Sequence, residues 1–259
     1  MTAAGPPAEP RPAGGTAPPV EPRPAQLSAG PRPGRLSGGQ QPPGFATLVL
    51  AGGAARRMGG VDKPALPVGG RPMLDRVLAA VADADLRVVV GPAGELPTGV
   101  RATREQPPGG GPVAAVAAGL ATLLPDTAPP DTAPPDTAPP DTADAGVVAL
   151  LAADLPLLTA DAVRQLRTAL SRAPGADGVV YVDDAGRAQF LCGVWRVGPL
   201  RAALARLAAG RGGVLTGTSM RALVAELTVT EVAWRGSGPP PWFDCDTDDD
   251  LRRAEEWIR

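Results

Sequence analysis

The segment GVVALLAADLP, residues 146–156, constrains the fold more than any other. It is almost entirely apolar, with no alternation of polar positions, and so describes a strand buried on both faces. FATLVLA (45–51) is a second short apolar strand, ending in glycines, and LRVVVG (86–91) a third. GVVYVDD (178–184), QFLCGVWRV (189–197) and TVTEVAW (228–234) read as later strands. Helices fall between them. RPMLDRVLAAVADAD (71–85) carries Leu74, Val77, Leu78 and Val81 at helical spacing. PVAAVAAGLATLL (112–124) is a helix of small residues, able to pack closely on a sheet. TADAVRQLRTALS (159–171) has Thr159 as its cap, and PLRAALARLAAG (199–210) and SMRALVAEL (219–227) follow. TDDDLRRAEEWIR (247–259) closes the chain, with aspartates in the first turn where the helix dipole favours them. Strand–helix alternation with apolar strands predicts an α/β fold, a three-layer doubly wound arrangement with a mostly parallel, Rossmann-like sheet. Ligands of such sheets bind outside the carboxyl ends of the strands.

Two segments stand apart. Residues 1–44 are dominated by Pro, Gly, Ala and Arg with almost nothing apolar to bury, and read as a disordered tail. Residues 125–144 repeat DTAPP every five residues, favouring extended chain with a solvated backbone. They read as a surface insertion in a domain covering 45–259, and loop closure makes long insertions inexpensive.

Composition limits the chemistry. The 259 residues contain no histidine, which removes the commonest general base and every Ser-His or Cys-His nucleophile system. Cys192 and Cys245 are too few for a disulfide framework or a cysteine metal site, and fit a reduced, cytoplasmic setting as small buried hydrophobes. The net charge of −2 lacks the basic excess of a nucleic-acid binder. No apolar run reaches the roughly 18 residues of a membrane span, and the N-terminus has no apolar signal core. Carboxylates, Lys, Arg, backbone amides and a hard metal ion remain.

GGAARRMGGVDK (52–63) follows the first strand and ends in the only lysine of the chain. Gly52 and Gly53 let the backbone turn sharply and bring amide N–H groups close to a ligand. Arg56, Arg57 and Lys63 add positive charge, which suits a polyphosphate. Neither GxGxxG nor GxxxxGK[ST] is matched, and by spacing alone a tight glycine turn with solvated arginines fits as well. Asp154 follows the buried strand of 146–156, on the same sheet edge, and Thr159 already provides the cap of the next helix.

LAGGAARRMGGVDKPAL (50–66) resembles the signature loop of the nucleotidyltransferases related to molybdenum cofactor guanylyltransferase, LAGG-x-x-x-R-M-G-x-D-K. The likeness extends more loosely through GGRPMLDRVL, REQPPGGGPVAAV, AADLPLLT and FDCDTDDDL. It implies that the loop wraps the triphosphate of GTP, with Leu50, Ala51, Gly52 and Gly53 beside the nucleotide. Lys63, Arg57 and Asp154 would be the catalytic set. Lysine, a compact mobile charge rather than a planar fork, suits a group that follows charge onto a reacting phosphate.

Asp154 would hold Mg²⁺, which prefers oxygen ligands and substrate phosphates. Asp244 and Asp246 stand where the family usually has asparagines, and Asp246 is the second metal contact. Asp248, Asp249 and Asp250 are helix N-terminal charges. Gly91 would touch guanine or ribose through its backbone, and Glu105 would accept from the N1–H and exocyclic amine of guanine. Arg187 and Gln189 are equally read as contacts to an anionic pterin phosphate or as ordinary surface residues. Trp195, Trp234, Trp242 and Trp257 are read as packing.

The implied reaction is transfer of GMP from GTP to the terminal phosphate of Mo-molybdopterin, releasing pyrophosphate. Transient contact with cofactor-delivery proteins or molybdoenzymes is implied as well. Three alternatives share these residues: a cytidylyltransferase for the same cofactor, a guanylyltransferase for another phosphorylated small molecule, and a non-catalytic nucleotide-binding protein. The sister cytidylyltransferases usually read A-A-G where this chain reads Ala51-Gly52-Gly53, which favours guanine.

Overall fold

The computed structural model describes residues 1–2, 44–52, 63–123 and 146–259. Most of the predicted tail, the loop residues 53–62 and the DTAPP repeat lie outside the described residues.

Strand β1 (Ala46–Leu50) leads into the glycine loop, from which the chain returns in a 3-10 turn at Lys63–Ala65. A small antiparallel hairpin follows, β2 (Pro67–Val68) and β3 (Arg71–Pro72), then α1 (Met73–Ala80), β4 (Leu86–Val90) and β5 (Val100–Thr103). Next come α2 (Pro112–Leu123), β6 (Val147–Ala152), α3 (Ala160–Arg172), β7 (Gly178–Val182) and β8 (Ala188–Arg196). The chain ends with α4 (Val197–Ala209), α5 (Met220–Val224), β9 (Val229–Ala233) and α6 (Asp248–Ile258). Seven strands form the main sheet in the order β5-β4-β1-β6-β8-β7-β9. Every pairing is parallel except those of β8, which runs antiparallel to both β6 and β7.

The apolar strands bury both faces, as the pattern predicts. In β1 and β6, Val49, Ala149 and Leu151 pack with Val77 of α1 and Leu166 of α3, while Leu48, Leu50, Val148 and Leu150 pack with Val116 of α2 and Leu200 of α4. Each fully buried Val or Leu of this kind contributes roughly 1.5–3 kcal/mol. The result is three layers, with α1 and α3 on one face and α2, α4 and α5 on the other. Close packing of α2 rests on Gly119, where a Cβ would come within 2.8 Å of Leu48 Cδ1 and 3.0 Å of Val90 Cγ2.

Some boundaries differ from the sequence reading. Helix α1 is shorter than 71–85, because Arg71 and Pro72 pair in the hairpin and Pro72 enters the helix with extended backbone. Its far end would have placed Asp83 and Asp85 in a final turn, where the dipole disfavours acids; instead Asp85 N–H donates to Phe45 C=O at 2.9 Å. Strand β5 was not anticipated. Thr159 does cap α3, accepting from Ala162 N–H at 3.2 Å. Cys192 and Cys245 are both buried. Among the described residues no helix is long and apolar enough to cross a membrane.

Candidate active site

Register assembles the site. Leu50 lies opposite Val90 on one side and Ala152 on the other, and Val90 lies opposite Thr103. Four strand ends therefore stop in one row. The segments leaving that row carry Ala51-Gly52, Gly91, Glu105 and Asp154. Backbone hydrogen bonds continue past the strands: Ala51 N–H to Val90 C=O at 2.8 Å, Ala153 N–H to Leu50 C=O at 3.0 Å and Gly91 N–H to Thr103 C=O at 2.9 Å. Leu50 and Ala51 turn their side chains into the interior, so they offer only backbone, whereas Gly52 is exposed. Gly91 adopts φ +127°, and a Cβ there would lie 2.7 Å from Gly52 N and 2.9 Å from Ala51 C. Its lack of a side chain is what lets the β4 end lie against the start of the glycine loop.

Lys63 re-enters the described chain at this edge. Its ammonium donates to Asp154 Oδ2 and, at 2.7 Å, to Asp246 Oδ1. The Lys63 side chain is 18% exposed, against 21% for Asp154 and 49% for Asp246, so the ion group straddles the protein–water boundary. Burial, the largest influence on Lys63, would lower its pKa. The charge and hydrogen bond of Asp154, then those of Asp246, outweigh it and leave the ammonium pKa raised. Asp244 has its carboxyl raised, first by desolvation and then by the like charges of Asp154 and Asp246, with Lys63 acting the other way.

Three elements hold these groups in place. Leu66 N–H returns to Lys63 C=O at 3.1 Å, and Met73 N–H to Leu66 C=O at 3.1 Å, tying the lysine to the hairpin and α1. Cys245, fully buried among Val68, Met73, Leu157 and Ala254, anchors the segment between Asp244 and Asp246. Its N–H donates to the Asp154 carbonyl at 3.3 Å, which joins the two carboxylate-bearing stretches directly. Thr247 then caps α6 in a capping box with Asp250, whose carboxylate also accepts from Asp246 N–H at 3.1 Å. The aspartates 248–250 occupy the first helical turn, as read from the sequence.

Glu105 sits two residues beyond β5 and is 4% exposed. Its Oε1 accepts from Gly109 N–H at 2.9 Å, whereas its buried Oε2 has no hydrogen-bond partner among the described residues. A Cβ built on Gly52 would lie 3.6 Å from Oε1, so this carboxylate borders the mouth of the glycine loop. Sequence reasoning missed the support that Gly109 provides. The run PPGGGP was its signal, since Gly109 and Gly111 take φ of +78° and +92°.

Other candidates fall elsewhere. Gly53, Arg56 and Arg57 lie outside the described residues. Arg187 Nε donates to Asp183 Oδ2 at 2.7 Å, and Gln189 Nε2, at the start of β8, reaches the same oxygen at 3.3 Å, so both serve the β7–β8 turn. Trp195 is fully buried, Trp234 and Trp242 pack around Tyr181 at ring separations of 5.7 and 5.1 Å, and Trp257 packs edge-on against Phe243.

The donor set can be tested against a metal. Carboxylate oxygens of Asp154 and Asp246 converge on one ammonium, and hard oxygen donors of this kind suit Mg²⁺. Among the described residues no group of three or more His, Cys, Asp and Glu is arranged to hold a metal. The two aspartates therefore fit a cation that takes its remaining ligands from substrate phosphates and water.

Comparison with known proteins places this arrangement in context. The molybdenum cofactor guanylyltransferase of Cereibacter sphaeroides is 29% identical over 218 residues, covering 82% of this chain and 96% of its own. That of Bradyrhizobium sp. (strain ORS 278) is 30% identical over 216 residues, covering 80% and 90%. Two solved structures share the fold at lower identity. Molybdopterin-guanine dinucleotide biosynthesis protein A of Archaeoglobus fulgidus has a TM-score of 0.58 and 19% identity, covering 82% of this chain and 97% of its own. The 2-C-methyl-D-erythritol 4-phosphate cytidylyltransferase of Francisella tularensis has a TM-score of 0.59 and 14% identity, covering 83% and 100%. The MobA-like NTP transferase domain matches residues 47–229, a span that holds the glycine loop, Lys63, Glu105 and Asp154, and the chain belongs to that family of nucleotidyltransferases.

Proposed function

We propose that this protein transfers GMP from GTP to the terminal phosphate of Mo-molybdopterin, releasing pyrophosphate in an Mg²⁺-dependent reaction in the cytoplasm. The observation that carries the reading is the Lys63 ammonium gathered with Asp154 and Asp246 beside the glycine turn at the carboxyl edge of the sheet. Similarity to molybdenum cofactor guanylyltransferases supports the choice of acceptor and of guanine as the base.

An acceptor phosphate oxygen attacks the α-phosphorus of GTP, and the bond from that phosphorus to the β-phosphate oxygen breaks. The electron pair leaves with pyrophosphate. The nucleophile is already an anion, so no general base is needed, which suits a chain without histidine. What the protein supplies is position and charge. The backbone N–H of Gly52, where no Cβ intervenes, would approach the phosphates. Lys63 follows negative charge on the α-phosphate. Asp154 and Asp246 would hold Mg²⁺, which when bound neutralises phosphate charge. Glu105 Oε2, buried without a partner among the described residues, would accept from the guanine N1–H and exocyclic amine, a pattern cytosine lacks.

Equilibrium binding of GTP, CTP and ATP with Mg²⁺, for the wild type and Lys63→Ala, tests this. A GTP preference that weakens in the variant is expected, followed by pyrophosphate release on addition of the acceptor. A preference for CTP would transfer the reading to a cytidylyltransferase and remove the role given to Glu105. Failure to bind any nucleotide would reduce the loop to a turn.

A further inference from the structure

The position of Lys63 raises a question that its proposed role does not answer. A lysine that neutralises substrate phosphates cannot at the same time spend its charge on two aspartates, yet here it does so. Those aspartates are also the oxygens suited to a hard divalent cation. We infer that Lys63 is the resident counter-ion of the nucleotide-free metal site: its ammonium occupies the place of the divalent cation, and arrival of that cation displaces it towards the nucleotide phosphates. This rests on the functional reading above and adds a coupling between its two ligands.

The physical case is competition for the same lone pairs. Oxygens from Asp154 and Asp246 meet at one Nζ, and an ammonium and a dication cannot share contact distance with both, because they repel. Without a cation between them, the carboxylates of Asp154 and Asp246 would face one another at that point. Lysine suits the task. Its charge is a point on a four-carbon stem, so the head can change partners while the backbone stays in the turn at Lys63–Ala65. Every other basic side chain is a guanidinium, too broad to be enclosed by two convergent oxygens in this way. The consequence is ordered loading. Metal alone must expel the lysine with nowhere favourable to send it, whereas metal arriving with a triphosphate gives the ammonium a new anionic partner.

The apparent affinity for metal alone falls by the fraction of time that the carboxylates are free. If the lysine holds them nine-tenths of the time, that is about tenfold. The test uses the nucleotide-free full chain and Mn²⁺ followed by electron paramagnetic resonance, with Mg²⁺ in competition. Lys63→Met, neutral and of similar length, should bind the metal about tenfold more tightly than the wild type, and adding Asp246→Asn should reverse the gain.

A second measurement needs no variant. Lysine-selective isotope labelling gives one side-chain signal, because the chain has one lysine. That signal should move on Mg²⁺ addition with the same midpoint as metal binding. Equal metal affinity in wild type and Lys63→Met, metal saturation with an unmoved lysine signal, or no metal binding by either protein would each overturn the inference. GTP binding separates the two claims. A Lys63→Met protein that loses GTP but gains nothing for metal leaves the proposed function standing and removes the exchange.

Discussion

Asp183 and Asp154 each hold a cation on their carboxylate, and they do so in opposite ways. Asp183 takes Arg187 four residues on, in a hairpin turn where the Arg187 side chain is 78% exposed. Asp154 takes Lys63 from 91 residues away, and Asp246 reaches the same ammonium across 183. The first is a local device. Asp183 is held below the usual carboxylate range chiefly by the Arg187 N–H, then by the guanidinium and the Ala185 N–H, against the desolvation that would raise it. Its partners are supplied by the turn itself.

The second arrangement could not assemble itself. Closing a loop of 91 residues rather than four costs about 3 kcal/mol more by the logarithmic rule. An ion pair near the surface returns about 0–1 kcal/mol. The loop is closed by the parallel register of β1 with β6 and by burial of Cys245, and the ions are carried to one another as a result. The fold gathers opposite charges from three distant segments at the carboxyl edge of the sheet, where ligands of such sheets generally bind. A turn that pairs its own ends has already used them.

The largest expected effect breaks the site side of this comparison. Lys63→Ala should lower turnover by at least about 10²-fold, the scale of one preorganised charge contact. Pyrophosphate release measured with the acceptor and saturating GTP checks it. Near-normal activity would make the distant ion group as ornamental as the near one.

Next is Gly91→Ala. A Cβ at φ +127° would sit 2.7 Å from the Gly52 nitrogen, so strain and overpacking act together. About 2–3 kcal/mol of stability should be lost in urea unfolding. Gly186, in the Asp183 turn, has φ +74° and nothing within 4 Å of a built Cβ. Gly186→Ala should therefore cost only the backbone strain, about 1–2 kcal/mol. Equal losses would mean that the strand-end row is not under the close packing described.

Smaller again is Glu105→Gln, which keeps the shape and the oxygen facing Gly109. GTP affinity should fall about 10- to 100-fold, the range for a charged hydrogen bond, with CTP and ATP unchanged. A uniform loss for all three nucleotides would place Glu105 in the loop scaffold rather than at the base.

How far the sequence reaches follows the same division between near and far. The apolar run of β6 and the Thr159 cap of α3 are local, and both were legible. Strand β5 was not: VRAT is four residues with Arg101 and Ala102 exposed, so it shows no apolar run, and its pairing with β4 supplies the order that its composition lacks. The β2–β3 hairpin has two residues a side and leaves no periodic trace. At the site, Lys63 and Asp154 could be suggested by their places after strand ends. The meeting of Asp246 with them depends on how α6 docks against the hairpin, which no local pattern encodes. That residue was reached through family resemblance alone.

Arg187 tests the other side of the comparison, and its expected effect is the smallest. From sequence, an exposed arginine in a hairpin reads equally as an acceptor contact or as turn chemistry, because both use the same residue at the same place. The hydrogen bonds from Arg187 and Gln189 to one Asp183 oxygen favour the turn. Arg187→Ala should then leave turnover with the acceptor within about twofold of wild type, as exposed ion pairs generally do. A tenfold rise in KM for the acceptor, with GTP binding unchanged, would show that the guanidinium exchanges Asp183 for a substrate phosphate. Asp183 would then stand to Arg187 as Asp154 stands to Lys63, a holder of charge awaiting an anion, and sequence distance would no longer separate the two ion groups.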